Sequence, residues 1–324
     1  MTTTLSILFG GLLLFMGALA LFSWRTARRI EAFLPPAGSF VDVDGARLHV
    51  RDEGSGPALL MLHGLGGTMA HFNYGAVREL SQHFRVVTVD RPGSGYSTRA
   101  GSAPADLSTQ ARAIAALVER LGLHRPTVVG HSLGGATALT LALEHPHCVG
   151  ALALVAPLTH APGSVPPAFR ALTIETGWLR KLFAWTLAVP ASIATGKGIL
   201  AEVFGPDPVP RDFPTRGGGL LSLRPQQFLA SSADLQALAG HMPGLEQAFG
   251  RLHVPLHVLF GRDDRILDWR ANGRALVDKV HGARLELVEG GHMLPVTHPA
   301  LTARFIEESA ATAQGCAGRE KAGR

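Results

Sequence analysis

The chain has 324 residues, of which 46% are hydrophobic and 17% charged, which excludes a largely disordered polypeptide and allows a well-buried core. The formal net charge of +5 comes from scattered arginines rather than one basic run interleaved with aromatics, so no nucleic-acid partner is expected. Cys148 and Cys316 lie far apart outside any ligand motif, so no metal, no cofactor and no disulfide framework is expected.

The first element is apolar throughout. Leu5 to Trp24 carries no charge and is dominated by Leu, Phe, Ala and Gly. About 20 residues at 1.5 Å each match the roughly 30 Å of hydrocarbon in a bilayer. Trp24 would sit at the interface, followed by Arg25, Arg28 and Arg29. Residues 1–24 are therefore expected to form a single-pass membrane anchor, with 25–38 as a linker containing Pro35-Pro36. Because the positive residues follow the span, the rest of the chain is expected on the cytoplasmic side. Two other readings stand beside this one. Ala18-Leu19-Ala20 resembles a signal-peptide cleavage site, which would make the protein secreted or periplasmic, but Met1 to Thr4 lacks the positive charge such a peptide wants. A buried core helix is the third reading, and it fits poorly with a segment apolar on all faces that precedes the fold.

Beyond the linker, short apolar runs alternate with helical stretches. Phe40 to Val43 and Leu48 to Arg51 read as a strand pair turned at Asp44-Gly45. Further strands are expected at Ala58 to Leu62, Arg85 to Val89, Thr127 to Val129, Gly150 to Val155, Leu256 to Phe260 and Arg284 to Val288. Helices are expected at Leu107 to Leu121, Thr137 to Glu144 and Pro299 to Glu308. This rhythm implies an α/β fold with a mostly parallel sheet and helices on both faces. Residues 158–249 break it with many prolines, Gly217-Gly218-Gly219 and the apolar piece Trp178 to Leu187, and read as an inserted helical cap. The core then consists of 39–157 and 250–310, and the tail 311–324 is expected to be disordered.

Three stretches carry chemistry. Gly130-His131-Ser132-Leu133-Gly134 joins a strand to a helix, the context of a nucleophile elbow. The turn brings residues two before and two after the nucleophile together, so only small ones such as Gly130 and Gly134 fit there. A serine hydroxyl is a weak nucleophile and needs a base, which in this arrangement comes last in the chain. His292 follows Gly290-Gly291 after the last strand and is the candidate base. Asp263 and Asp264 follow the strand before it, and spacing alone does not choose between them for the orienting acid. Both loops lie at the carboxyl edge of parallel strands, where open α/β sheets bind ligands. The oxyanion donors expected are the backbone N–H groups of Leu133 and of Leu65 in His63-Gly64-Leu65-Gly66-Gly67.

With these motifs and Asp90-Arg91-Pro92-Gly93-Ser94-Gly95-Tyr96-Ser97, residues 39–310 resemble the α/β-hydrolase superfamily, in its branch of capped esterases, lipases and C–C hydrolases. The resemblance implies an eight-stranded sheet with the cap inserted after the sixth strand. It also implies Asp264 as the acid, since the family's acid loop reads G-x-x-D. The nucleophile separates this chain from relatives with Asp at that position, and Leu65 departs from the His-Gly-Gly-Gly loop of another esterase branch. The expected activity is hydrolysis of carboxylic esters of apolar acyl or aromatic groups, lipid esters included, through an acyl-enzyme. C–C bond hydrolysis, cofactor-free perhydrolysis and a non-catalytic membrane-tethered binding module are the alternatives. Trp178, Leu179, Leu182, Phe183 and Trp185 read either as a substrate-facing cluster or as packing of a cap helix.

Overall fold

The computed structural model describes residues 2–101 and 103–322, with side chains for 3–101 and 103–312. The strands are β1 (Ser39–Val43), β2 (Ala46–Glu53), β3 (Ala58–Leu62), β4 (Arg85–Val89), β5 (Thr98–Arg99), β6 (Thr127–His131), β7 (Ala151–Val155), β8 (Leu256–Gly261) and β9 (Arg284–Val288). The helices are α1 (Thr2–Phe33), α2 (Ala70–Asn73), α3 (Ala76–Leu80), α4 (Leu107–Arg120), α5 (Leu133–Glu144), α6 (Gly177–Thr186) and α7 (Ala188–Phe204). They continue with α8 (Phe213–Arg216), α9 (Pro225–Ala248), α10 (Ala275–Val277), α11 (Leu294–Thr297) and α12 (Pro299–Ala322).

Eight strands form one sheet in the order β1-β2-β4-β3-β6-β7-β8-β9. The β1–β2 and β2–β4 pairs are antiparallel, and every pair from β4 to β9 is parallel. A ninth strand, the two-residue β5, pairs with β2 beside this path and was not foreseen, because two residues carry no periodic signal. The alternation of side chains along each strand sorts the core into two layers. Leu60, Leu62, Val128, Leu152, Leu154 and Val258 face α4 and α5 with Ile114, Leu117 and Leu139. Leu59, Met61, Val129, Ala153 and Leu259 face the other way, onto Phe72, Val77, Phe305 and Ile306.

Between β7 and β8 the described residues contain helices and no strand, from the 3₁₀ turn at Pro167–Leu172 through α9. Helix α1 does not stop near Trp24. It continues through Arg25–Phe33, which had read as linker, because Ala, Arg and Glu favour helix and the first breaker is Pro35. That extension docks on the helical segment: Ser23, Ala27 and Ile30 are buried, Ser23 Oγ donates to the Thr186 carbonyl at 3.4 Å, and Arg224 pairs with Glu31 at 3.4 Å. Tyr96 Oη donates to the Leu34 carbonyl just beyond the helix end. At the other terminus α12 runs to Ala322, through the stretch expected to be disordered, since its alanines are good helix formers. Residues 323–324 of that stretch lie outside the described residues.

Candidate active site

Ser132 sits between β6 and α5 with φ 53° and ψ −122°, a conformation that costs a non-glycine residue on the order of 1–3 kcal/mol. Its backbone is held from three sides. Ser132 N donates to Val155 O at 3.2 Å, and its carbonyl accepts from Gly135 N at 2.8 Å and Leu158 N at 2.9 Å. The flanking glycines are there for space. A Cβ on Gly134 would lie 2.1 Å from Leu62 O, and one on Gly130 would lie 2.6 Å from Gly134 O.

His292 and Asp264 meet across the carboxyl ends of β9 and β8, His292 Nδ1 to Asp264 Oδ2 at 2.7 Å, with both side chains almost fully buried. Asp264 is oriented by its own loop. Its Oδ1 accepts from Ile266 N at 2.8 Å and Leu267 N at 2.9 Å, which turns Oδ2 towards the histidine. Asp263 makes no such contact; its backbone N–H donates to Gly290 O at 3.1 Å. Ser132 Oγ has no hydrogen-bond partner among the described residues, so the serine–histidine contact is not closed. The distance is often longer in an unliganded site than in the reacting complex.

The loop after β3 reaches the nucleophile. A Cβ on Gly64 would come within 2.9 Å of Ser132 Cβ and 3.3 Å of Oγ, so the bare backbone of this loop borders the serine. Leu65 follows at once, and among the described residues nothing accepts its N–H. Leu133 opens α5, whose first N–H groups have no partner within the helix.

Two groups that sequence reasoning did not single out complete the surroundings. The first is Arg91, fully buried beneath the oxyanion loop. Its Nε donates to His63 O at 2.8 Å and its Nη2 to Gly64 O at 3.2 Å. Its Nη1 donates to Gln110 Oε1 at 2.6 Å and to Asp234 Oδ2 on α9 at 3.0 Å. His63 answers with both ring nitrogens, Nδ1–H to Gly64 O at 2.8 Å and Nε2 accepting from Arg91 N at 2.9 Å. Burial and the Arg91 charge hold its pKa well below the usual histidine value. The motif around Arg91 was visible in sequence, but Asp234 had no local signal.

The second is a pair of buried imidazoles beside the base. His131, within the elbow itself, donates Nε2–H to the His292 carbonyl at 3.0 Å, and the two rings lie 4.9 Å apart. Among the described residues its Nδ1 has no partner, nor has Nδ1 of His71, whose ring is 6.4 Å from that of His131. Burial lowers the pKa of both, that of His71 to about 4. Phe204, Phe213, Met293 and Val296 form an apolar wall next to these rings. Away from the site, Glu119, His147 and Cys148 put ligand-type atoms within 4.8 Å of one another. Glu119 and His147 are exposed, and burial raises the Cys148 thiol pKa, which favours the protonated thiol over a metal-binding thiolate.

Residues 57–193 match the family model of the alpha/beta hydrolase fold. An uncharacterized protein of Mycobacterium tuberculosis is 30% identical over 289 residues, covering 87% of this chain and 83% of that one. The chain belongs to the α/β-hydrolase family. A 2-hydroxymuconate semialdehyde hydrolase from a Pseudomonas species is 34% identical over 123 residues, 37% of this chain and 44% of the relative. Among solved structures, a membrane phospholipase A superposes with a TM-score of 0.66 at 23% identity, covering 97% of both chains. The enol-lactonase of Burkholderia xenovorans superposes with a TM-score of 0.68 at 22% identity, covering 84% of this chain and all of that one. Likeness at these identities speaks for the fold.

Proposed function

We propose that this α/β-hydrolase cleaves carboxylic esters of apolar acyl or aromatic groups through an acyl-enzyme on Ser132. The observation that carries the reading is the 2.7 Å contact between His292 Nδ1 and Asp264 Oδ2, on the strand ends beside an elbow serine held at φ 53°. Ser132 Oγ attacks the ester carbonyl carbon as His292 Nε2 takes its proton. The N–H groups of Leu133 and Leu65 hold the oxyanion. The carbonyl re-forms as the alcohol leaves with the proton from His292. Water then repeats the sequence on the acyl-enzyme, releasing the acid and restoring Ser132. Asp264 fixes the imidazole tautomer and stabilises the imidazolium without taking the proton itself. Ser132→Ala is expected to lower p-nitrophenyl ester turnover roughly a millionfold without loss of folded protein. Unchanged turnover in that variant sinks the mechanism.

C–C hydrolysis is a second reading, favoured by the match to the semialdehyde hydrolase over 123 residues. Turnover of a vinylogous diketone acid, with none of any ester in a panel of acyl lengths, would select it. A folded protein that a fluorophosphonate probe does not label would point instead to a binding module.

We further infer that residues 5–24 of α1 cross a bilayer and hold the catalytic part on the cytoplasmic side, since the 31 residues from Thr3 to Phe33 form one helix whose first part is apolar and uncharged and whose arginines follow that run. An alkaline phosphatase reporter fused after Arg324 is expected to be inactive. An active fusion reverses the orientation.

A further inference from the structure

We propose that the corner between α6 and α7 is a second membrane contact, seated in the same lipid leaflet as the end of the α1 span; this rests on reading α1 as a span. The argument begins with height. From Leu5 to Phe22 none of the large apolar side chains of α1 is buried and most are exposed, and at Ser23 the helix begins to bury residues against the protein. No break separates the two halves, so the catalytic part is held at a set level along the helix axis. That level is marked by a contact: Ser23 Oγ reaches the carbonyl of Thr186, the last residue of α6. Trp24, half-exposed beside it, and Arg25, Arg28 and Arg29 just beyond are the side chains expected at a headgroup layer. The corner at Leu187 is therefore level with the place where α1 leaves hydrocarbon.

The two helices that meet at that corner carry lipid-facing chemistry on their exposed sides, from Trp178 at the start of α6 to Ile193 early in α7. Trp178 is 69% exposed and Ile193 53%, and Leu179, Leu182 and Leu187 are each 42% exposed. The two helices meet at 73° and together are as apolar as a span, and apart from Ala184, Thr186, Ala188, Val189 and Phe204 their side chains are not buried. Lys181 and Lys197 are exposed on the same two helices, where they can reach lipid phosphates, and Glu175 stands just before the start of α6. An apolar face rimmed by lysines and continuous with a spanning helix is suited to lie in the interface plane. Its occupant is the acyl-chain and headgroup boundary of the bilayer. The far end of α7 meets the catalytic edge, since a Cβ on Gly291 would lie 2.2 Å from the carbonyl of Gly205. One helix thus joins the proposed membrane contact to the residue before His292.

The test uses the full chain in phosphatidylcholine vesicles with phosphatidylglycerol as the anionic lipid. In a Cys148→Ala, Cys316→Ala background, an environment-sensitive fluorophore is placed at Trp178→Cys, Leu187→Cys or Ile193→Cys. Leu14→Cys reports the span, and Arg284→Cys, at the opposite end of the parallel strands, reports water. Nitroxides are carried on lipids, near the headgroup or deep in the acyl chain. The three corner sites are expected to lose most of their fluorescence to the shallow nitroxide, Leu14→Cys to the deep one, and Arg284→Cys little to either. If Leu14→Cys is quenched while the corner sites match Arg284→Cys, the span stands and the second contact is overturned. If Leu14→Cys is unquenched, the span reading fails first and the proposal falls with it. Corner sites shielded from an aqueous quencher yet untouched by either nitroxide would mean that protein covers them, which also overturns it.

Discussion

Arg91 and Asp234 meet at 3.0 Å with neither side chain exposed to solvent, although 143 residues separate them in the chain. One partner supports the carbonyls of His63 and Gly64 in the oxyanion loop, and the other stands on α9. Removing one charge of a buried pair leaves the other uncompensated, at a cost of about 3–5 kcal/mol. Asp234→Asn is therefore expected to destabilise the protein by about 3 kcal/mol in urea unfolding. Asp52→Asn is the control: it breaks the partly exposed pair with Arg85 at 2.7 Å and is expected to cost about 1 kcal/mol or less. Equal losses would mean that burial gives the Arg91 pair no special weight.

The two adjacent aspartates separate cleanly by geometry. Asp264→Asn keeps the shape of the loop but removes the acceptor that fixes the His292 tautomer, and kcat is expected to fall about ten-thousandfold. Asp263→Asn should leave ester turnover within a factor of about two, because no side-chain contact joins it to the histidine. Comparable losses in both variants would remove Asp264 from the role proposed for it.

Two glycine substitutions are expected to fail in different ways. On Gly134 a methyl group meets the backbone carbonyl of Leu62, which cannot yield, so Gly134→Ala should lose at least about 3 kcal/mol of stability. On Gly64 it meets the side chain of Ser132 instead. Gly64→Ala should fold and lose roughly a hundredfold in kcat through displacement of the nucleophile. Circular dichroism and an ester assay on the same samples separate the two, and a fully active Gly64→Ala would contradict the closeness of loop and serine.

Acid is expected to weaken the fold through His71. Burial lowers its pKa from the ordinary 6.5 to about 4, so between these values the unfolded chain binds the proton more readily than the native one. This contribution is intact above pH 6.5, declines as pH falls towards 4, and at its full extent amounts to about 3 kcal/mol. His63 and His131 act in the same direction. Comparing urea midpoints at pH 7 and pH 5, His71→Gln should remove about 2 kcal/mol of the acid-induced loss seen in the native sequence. The same loss in both proteins would place the acid sensitivity elsewhere.

Local signals served well where one segment decides its own fate. The runs Ala58–Leu62 and Arg85–Val89 are mainly apolar, Arg284–Val288 alternates charged and apolar residues, all three are short, and the strands coincide with them. The elbow and its order of partners were legible because each lies directly after a strand. Features made by distant segments were not. Nothing near Asp234 announces Arg91, and nothing in Asp263-Asp264 says which carboxylate turns inward until the N–H groups of Ile266 and Leu267 occupy one oxygen. The end of α1 was misplaced because a change from apolar to charged residues marks a change of surroundings and not of backbone conformation. Trp178, Leu179 and Leu182 looked equally fit for packing, and their exposure emerged only with the position of α6.

The backbone at Ser132 also limits which nucleophiles the site can accept. At φ 53° a β-branched side chain is strained in a way that an unbranched one is not. Threonine, although it offers the same hydroxyl, is closed to this elbow, whereas cysteine fits the turn and would substitute sulfur for oxygen. The route by which this site could exchange its reacting atom therefore leads through a thiol and not through another alcohol.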